Sequence, residues 1–115
     1  MTETRTVTAT LPEPPSANRW WRKFRNRMVL SDEARAYKSD IALRFARQVP
    51  FAGEVCVTMT WYRGRKSGDL DKRIGIALDA MQGVFFVNDN QIVELTARRR
   101  EDKASPRLEV WIATV

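Results

Sequence analysis

The chain has 115 residues, with 20 Lys and Arg against 14 Asp and Glu (a formal net charge of +6), one cysteine and no histidine. The absence of histidine excludes Ser–His and Cys–His catalytic dyads and imidazole zinc sites, and the single cysteine excludes an internal disulfide and favours a reducing, cytoplasmic compartment. No apolar run approaches the roughly 20 residues that cross a bilayer, so we expect no membrane contact, whereas the basic balance favours a polyanionic partner such as nucleic acid.

The first half of the chain predicts a strand, a basic segment and a helix. Residues 4–11 alternate threonine with Arg or apolar side chains, which is typical of a strand, and the prolines that follow end it. Residues 19–28 hold five cations among aromatic residues, and this segment could be a loop or an irregular hairpin. Ser31 is a favoured N-cap residue, and the spacing of apolar residues after it predicts a helix over 32–48.

The middle of the chain predicts a strand, a loop and a second helix. Val, Met and Trp alternate with Cys, Thr and Tyr over 54–62, which indicates a strand. A basic loop bounded by glycines follows at 63–68. Apolar residues at helical spacing predict a helix over 71–82, and Gly83 is expected to stop it in a left-handed conformation.

The last part of the chain predicts short elements and decides the fold class. It holds a short apolar strand at 84–87, a turn at 88–90 and two further strands at 91–100 and 107–114. The element order β, α, β, α, β, β, β indicates an α/β fold of the α+β type, with a mixed sheet and two main helices. Neither a repeat nor a linker interrupts the sequence, so we expect a single domain over 1–115.

Four aspartates near the second helix are the candidate catalytic groups. Asp69 and Asp71 point the same way if their segment is extended, and Asp79 lies two turns along the same face if Asp71 opens the helix. Asp89 follows the predicted strand at 84–87 and returns to the Asp69 and Asp71 end if that strand runs back beside the helix. Convergent carboxylates suit Mg²⁺ or Mn²⁺, and such ions support phosphodiester cleavage.

The spacing of these aspartates also fits purely structural roles. Asp71 can be a helix N-cap, and Asp69 and Asp89 can be turn residues. Asp79, inside the helix, can simply pair with a neighbouring arginine. The spacing by itself therefore leaves both interpretations open.

Two blocks of sequence carry a family resemblance. The first consists of Leu11-Pro-Glu-Pro-Pro-Ser-Ala-Asn18, Trp20-Trp21-Arg22 and Leu30-Ser31 with Ala34-Arg35-Ala36-Tyr37. The second consists of Gly68-Asp-Leu-Asp71, Leu78-Asp79-Ala80-Met81, Gly83-Val84 and Asn88-Asp89-Asn-Gln-Ile-Val93. In this order and spacing, the two blocks resemble the RusA family of Holliday junction resolvases, which are small phage and bacterial endonucleases.

The resemblance implies a function, a partner and a set of site residues. It implies a Mg²⁺-dependent homodimer that cuts four-way DNA junctions symmetrically in DNA recombination and repair. It also implies that Asp69, Asp71 and Asp89 bind the metal and are catalytic. Asp79 matches the family's helical Asp and is expected to support the site, as is Asn18.

The chain departs from the family pattern at three positions. Lys72 and Asn88 stand where the family has Asn and Asp, and the family's active-site Lys falls on Gly75, which offers no cation. Lys72 or Arg73 could supply that charge from a neighbouring position, so both are catalytic candidates. Alternatively, catalysis is weakened, or the protein has become a junction binder.

Basic residues in two segments are the predicted DNA contacts. They are Arg19, Arg22, Lys23, Arg25, Arg27, Arg63, Arg65 and Lys66. The aromatic side chains Trp20, Trp21 and Phe24 either stack on exposed bases or lie in the core or a dimer interface, and the sequence favours neither. An RNA-binding or assembly module that uses only the basic surface is a further alternative.

Overall fold

Six strands, two α-helices and two short 3₁₀ turns make up residues 4–115, the part of the chain that this computed structural model describes. In chain order they are β1 (Thr6–Pro12), a 3₁₀ turn (Ala17–Arg19), β2 (Trp21–Phe24), β3 (Arg27–Leu30), α1 (Asp32–Arg44), β4 (Val55–Arg63), α2 (Leu70–Met81), a second 3₁₀ turn (Asp89–Gln91), β5 (Ile92–Glu101) and β6 (Arg107–Thr114). No helix within this described range is long and apolar enough to cross a membrane.

Four of the strands form one mixed sheet in the order β1-β6-β4-β5. Strand β6 is antiparallel to both β1 and β4, whereas β4 and β5 are parallel. Because parallel neighbours need a crossover connection, the chain passes from the end of β4 through α2 to the start of β5. The predicted α+β class with a mixed sheet is confirmed, and β1 and β5 are the edges of the sheet.

The central strand β4 shows the alternation that the sequence predicts. Val55, Val57, Met59 and Trp61 are buried on one face, while the residues between them are half-buried on the other. Both helices cover the buried face, and their contributions to this core are Ala34, Tyr37, Ile41, Ile74, Ile76, Ala77, Ala80 and Met81. Removing these apolar side chains from water is the main stabilising term of the fold.

Helix α1 begins as predicted and ends earlier. The Ser31 hydroxyl oxygen accepts a hydrogen bond from the backbone N–H of Ala34 at 3.0 Å, which confirms the N-cap. The predicted end at residue 48 is wrong, because the backbone leaves the helical region at Phe45 (φ −116°, ψ 35°). The turn brings the Phe45 ring to 5.0 Å from the ring of Phe85, centroid to centroid.

The end of α2 contains one confirmed and one wrong prediction. Gly83 has a φ of +88°, as expected for a residue that ends a helix. The strand predicted at 84–87 is instead a turn in which Phe85 N–H donates to the carbonyl oxygen of Met81 at 3.0 Å. Phe85 and Phe86 are fully buried, so this apolar run fills the core beneath the end of the helix.

The basic segment whose form the sequence leaves open is a regular hairpin. Strands β2 and β3 pair with each other from Trp21↔Leu30 to Phe24↔Arg27 and form a separate two-stranded sheet. Trp20, just before β2, is only 1% exposed and lies in the core, whereas Trp21 and Phe24 are 50% and 41% exposed. Base stacking is therefore excluded for Trp20 and remains open for the other two rings.

Gly75 within α2 and Gly83 just after it are expected to respond oppositely to alanine. At Gly75 and at Gly83 an added Cβ would meet no atom within 4 Å, but only Gly83 has a positive φ. Gly75→Ala should raise the free energy of unfolding by about 1 kcal/mol, the usual cost of glycine in a helix. Gly83→Ala should lower it by about 1–2 kcal/mol, because a side chain disfavours left-handed backbone. Denaturant unfolding measures both, and changes of the same sign would contradict this backbone assignment.

Candidate active site and nucleic-acid interface

Two of the predicted carboxylates lie at the N-terminal end of α2. Asp69 is the N-cap residue and Asp71 lies in the first turn, so the helix, and not an extended segment, presents them. The Asp69 side chain makes no capping hydrogen bond, and its Oδ2 lies 3.5 Å from Nζ of Lys72. Asp71 is exposed and makes no hydrogen bond or ion pair through its side chain with any residue in 4–115. Both carboxylates therefore have oxygen atoms free for a cation.

Gly68 determines how the chain enters α2. Its φ is +101°, and a Cβ at this position would lie 2.8 Å from Nη2 of Arg73 and 3.1 Å from the ring of Trp61. Glycine alone combines this backbone angle with so close an approach. Gly68 thereby lets the chain pass close to Trp61 and Arg73 immediately before Asp69.

Arg73 joins three parts of the fold. Its Nη1 donates to the carbonyl oxygen of Pro14 at 2.6 Å, and its guanidinium carbon lies 4.4 Å from the ring centroid of Trp61. Burial lowers the pKa of Arg73, while the Glu13 carboxylate acts in the opposite direction. Because these contacts occupy Arg73, Lys72 is the one of the two candidate cations that stays exposed beside Asp69.

Glu13 is a polar residue of this region that the sequence analysis missed. Its carboxylate accepts hydrogen bonds from Nε1 of Trp61 at 2.8 Å and from the backbone N–H of Gly64 at 3.3 Å. These bonds hold the proline-rich segment against the end of β4. In the sequence, Glu13 stands out only as a single charged residue among prolines. Its hydrogen-bond partners lie about 50 residues away along the chain, so local sequence does not reveal them.

A cleft separates the proline-rich segment from the start of α2. Asn18 lies on one side of it, with Asp69 and Lys72 on the other. The cleft continues past Arg19 and Arg65. Asn18 is exposed in the first 3₁₀ turn, so its amide faces the same open space as the Asp69 carboxylate. The cleft thus combines two carboxylates, Asp69 and the hydrogen-bonded Glu13, with several cations and an amide.

Asp89 lies at the opposite end of α2 from Asp69 and Asp71. Its backbone N–H donates to Oε1 of Gln82, the residue that follows the helix. The 12 residues of α2 separate the two ends by about 18 Å, and the described part of the chain contains no group of three carboxylates able to hold a metal. The expected return of Asp89 within one chain is therefore wrong, because β4 and β5 are parallel and α2 must cross the length of the sheet.

Asp79 holds the base of the hairpin. Its Oδ2 accepts a hydrogen bond from Nε1 of buried Trp20 at 3.2 Å and lies 3.7 Å from Nζ of Lys38 on α1. The ionic partner of Asp79 is thus Lys38 of α1 and not the neighbouring arginine that the sequence suggested. Asp79 connects α1, α2 and the residue that precedes β2, so its support of the site is indirect.

Seven of the eight predicted DNA-contacting cations lie at the surface. Arg19 is 3.7 Å from Glu33, an exposed pair of small energetic value. The other six form no ion pair with any described residue, and they are Arg22, Lys23, Arg25, Arg27, Arg65 and Lys66. This surface can therefore attract phosphates without first breaking strong internal contacts.

Arg63 is the exception among these cations. It is only 9% exposed, and its Nη2 and Nε lie 2.7 Å and 3.3 Å from Oε1 of Glu101. The hydrogen bond from Arg63 lowers the pKa of the Glu101 carboxyl. The prediction that Arg63 contacts DNA is wrong, because its guanidinium is buried and already neutralised at the end of β4.

Known proteins similar to this chain share one description. Residues 12–113 match the family model described as Endodeoxyribonuclease RusA. The Escherichia coli (strain K12) protein named Crossover junction endodeoxyribonuclease RusA is 30% identical over 112 residues, which cover 93% of each chain. A protein of that name from Shigella sonnei (strain Ss046) matches to the same extent. The Crossover junction endodeoxyribonuclease rusA of Enterobacteria phage 82 is 30% identical over 109 residues, 90% of each chain. The matched region includes the cleft, α2 and all four aspartates.

The contact between Asp79 and Trp20 predicts an ordered set of stabilities. Asp79→Ala leaves the buried indole N–H without an acceptor and should lower the free energy of unfolding by about 1–3 kcal/mol. Asp79→Asn keeps an acceptor oxygen and should cost less. Lys38→Met removes only the exposed ion pair and should cost less than about 1 kcal/mol. Urea unfolding followed by tryptophan fluorescence measures the series, and equal losses for the Asn and Ala variants would refute the hydrogen bond.

Proposed function

This chain belongs to the RusA family of endodeoxyribonucleases, and from that premise we propose that it resolves four-way DNA junctions by hydrolysing phosphodiester bonds. The observation that carries the proposal is the pair of exposed carboxylates at the start of α2, where Asp69 lines a cationic cleft and Asp71 follows it in the first turn. Carboxylates repel phosphates unless a cation lies between them. The arrangement therefore suits a divalent metal that is shared between the protein and DNA.

We propose Mg²⁺ as this metal, with Mn²⁺ as the alternative. The donors fit a hard cation, because Asp69 and Asp71 offer free carboxylate oxygens and the sequence has no histidine to favour a softer ion. When bound, such an ion supplies an activated water and stabilises charge on the departing oxygen. Lys72, 3.5 Å from Asp69, is placed to hold an oxygen of the same phosphate.

The surroundings of the carboxylates support DNA as the substrate. Arg65 and Lys66 are exposed on the loop that leads into α2, and Arg19 borders the same cleft. Charges of this kind bind phosphates without regard to base sequence. A DNA substrate agrees with the cytoplasmic location that the lone Cys56 predicts.

A homodimer completes the site in this proposal, because Asp89 cannot reach Asp69 within its own chain. Strand β5 suits the interface: it is a sheet edge of ten residues on which Val93 and Leu95 are 50% and 45% exposed. Long edge strands with exposed apolar residues tend to pair with another strand. The other edge, β1, exposes threonines instead. In a two-fold symmetric dimer, the β5 strands of the two copies can pair with each other, so that neither is left as an open sheet edge.

The direction of β5 decides where the partner's residues arrive. A two-fold axis through the middle of β5 makes the two copies of the strand antiparallel. The partner's Asp89, which precedes its β5, then lies near the end of the first chain's β5. The register Arg63↔Glu101 makes this the end of the sheet at which β4 leads into Asp69 and Asp71. The dimer thus holds two sites, as paired incision of a junction requires.

A junction-binding protein with weak catalysis is the second candidate. Gly75 lies on the exposed side of α2, one turn beyond Asp71, where the resemblance places the family's active-site lysine. Its surroundings are open, so nothing in the described structure replaces that cation at the same place. This candidate retains the DNA surface and the dimer and differs only in the rate of hydrolysis.

Subunit complementation tests the shared site. Asp71→Asn and Asp89→Asn should each lower Mg²⁺-dependent cleavage of a synthetic four-way junction by roughly a hundredfold or more, since each removes several kcal/mol of transition-state stabilisation. Binding of the junction in EDTA should persist. When the two variants are refolded together, activity should return, because one site of each mixed dimer then has all three aspartates. A cruciform plasmid should be converted to nicked circles by such a dimer and to linear DNA by the wild type.

The double variant Asp71→Asn/Asp89→Asn is the matched control. Mixed with wild type, it spoils both sites of a mixed dimer when the site is shared, and only one when each site belongs to a single chain. No recovery in the first mixture would contradict the shared site. Full activity of the Asp71→Asn homodimer would contradict the nuclease proposal itself.

Restoring a cation at position 75 separates the two candidate functions. Gly75→Lys fits sterically and should raise the cleavage rate at least tenfold if the missing cation limits catalysis, as expected for one well-placed electrostatic group. Gly75→Ala stabilises the same helix without adding charge and is the control. A wild-type rate that already equals the rate of the lysine variant would rule out the weak-catalysis candidate.

A further inference from the structure

The hairpin of β2 and β3 is exposed to an extent that folding does not explain. Every residue from 21 to 28 is exposed, and Trp21, Phe24 and Met28 are 50%, 41% and 59% exposed. Within the described chain the two strands pair with no other strand, and at the base of β3 the Leu30 carbonyl oxygen also accepts a hydrogen bond from Arg35. An isolated two-stranded sheet has little stability of its own, so its shape depends on its base.

The base of the hairpin is firmly fixed to the core. Trp20 is buried, packs edge-on against Tyr37 with 6.3 Å between ring centroids, and donates its indole N–H to Asp79. On the other strand, Ser31 N–H donates to the carbonyl oxygen of Trp20 at 3.0 Å. The hairpin therefore projects in a direction that the core determines.

Arg25 occupies the end of the hairpin at a backbone cost. It is the first residue of the two-residue turn Arg25-Asn26 and has a φ of +58°, the one positive φ of a non-glycine residue in the described range. Hairpin turns with a positive φ at this position favour glycine. The Arg25 side chain makes no described ion pair, and its contact is with the neighbouring Phe24 ring. Stability therefore does not account for arginine at this position.

Two guanidinium groups lie close to the Phe24 ring. The carbons of Arg22 and Arg25 are 5.5 Å and 5.4 Å from its centroid. Lys23 and Arg27 add two more cations to the same hairpin. None of these four cations forms an ion pair with an Asp or Glu in residues 4–115. The end of the hairpin is thus an aromatic ring surrounded by positive charge, which is complementary to a base flanked by phosphates.

We propose that this hairpin end selects branched over linear DNA, with Phe24 stacking on a base at the branch point and Arg25 holding the adjacent phosphate. In linear duplex each base is already stacked on both sides, so an aromatic ring finds no free face, whereas a branch point exposes one. The charges alone bind any duplex equally. This role of the hairpin rests on the proposed cleavage of junctions, and it assigns recognition of the junction to the hairpin.

Binding in EDTA tests this role separately from catalysis. Affinities for a four-way junction and for a linear duplex of matched sequence are measured for wild type and Phe24→Ala over a series of salt concentrations. Phe24→Ala should weaken junction binding about five- to a hundredfold, the range for loss of one stacked base, and should change duplex binding less than twofold. Leu43→Ala is the control, because Leu43 is 78% exposed on α1, away from the hairpin. It should change neither affinity.

Arg25→Gly provides the second arm, because it relieves the backbone angle while removing the charge. It should leave the unfolding midpoint unchanged or raise it, weaken junction binding, and reduce the slope of log affinity against log salt by about 1. Equal weakening for junction and duplex by Phe24→Ala, no weakening, or a loss of stability in Arg25→Gly would overturn the proposal. A wild type that prefers junctions but does not cleave them would refute the proposed nuclease and leave the hairpin assignment standing.

Discussion

Helix α2 is the constraint on which the placement of the functional groups depends. It connects β4 to β5, two parallel neighbours, and so must run from one end of the sheet to the other. Asp69 and Asp71 open the helix and Asp89 follows it, which separates them by about the helix length of 18 Å. One chain therefore carries the proposed metal ligands at opposite ends of α2, and the proposed antiparallel dimer is the simplest way to join them.

Several polar residues around the proposed site maintain the scaffold. Arg73 bonds to Pro14 and stacks on Trp61, and Arg63 is buried against Glu101. Asp79 holds Trp20 and therefore the hairpin. These internal contacts leave the exposed residues at the start of α2 and on the hairpin free to meet DNA. In the proposed function, these residues position the groups that act on DNA.

Local patterns in the sequence were sufficient to predict most of the fold. Alternation identified β4, a serine cap identified the start of α1, and glycine identified the end of α2, because each depends on nearby residues. The sequence could not place Asp89, because its position follows from strand pairing between residues 55–63 and 92–101. It also took the buried turn at Phe85 and Phe86 for a strand, since a short apolar run suits either form.

The proposed metal site is shared between two chains through β5. Crystals of the protein soaked with Mn²⁺ and measured for anomalous scattering test it most directly, because the metal position appears independently of any assumed ligand. We expect a peak within about 2–2.5 Å of carboxylate oxygens from Asp69 or Asp71 of one chain and from Asp89 of the other. A metal held by Asp69 and Asp71 with no carboxylate from a second chain would contradict it.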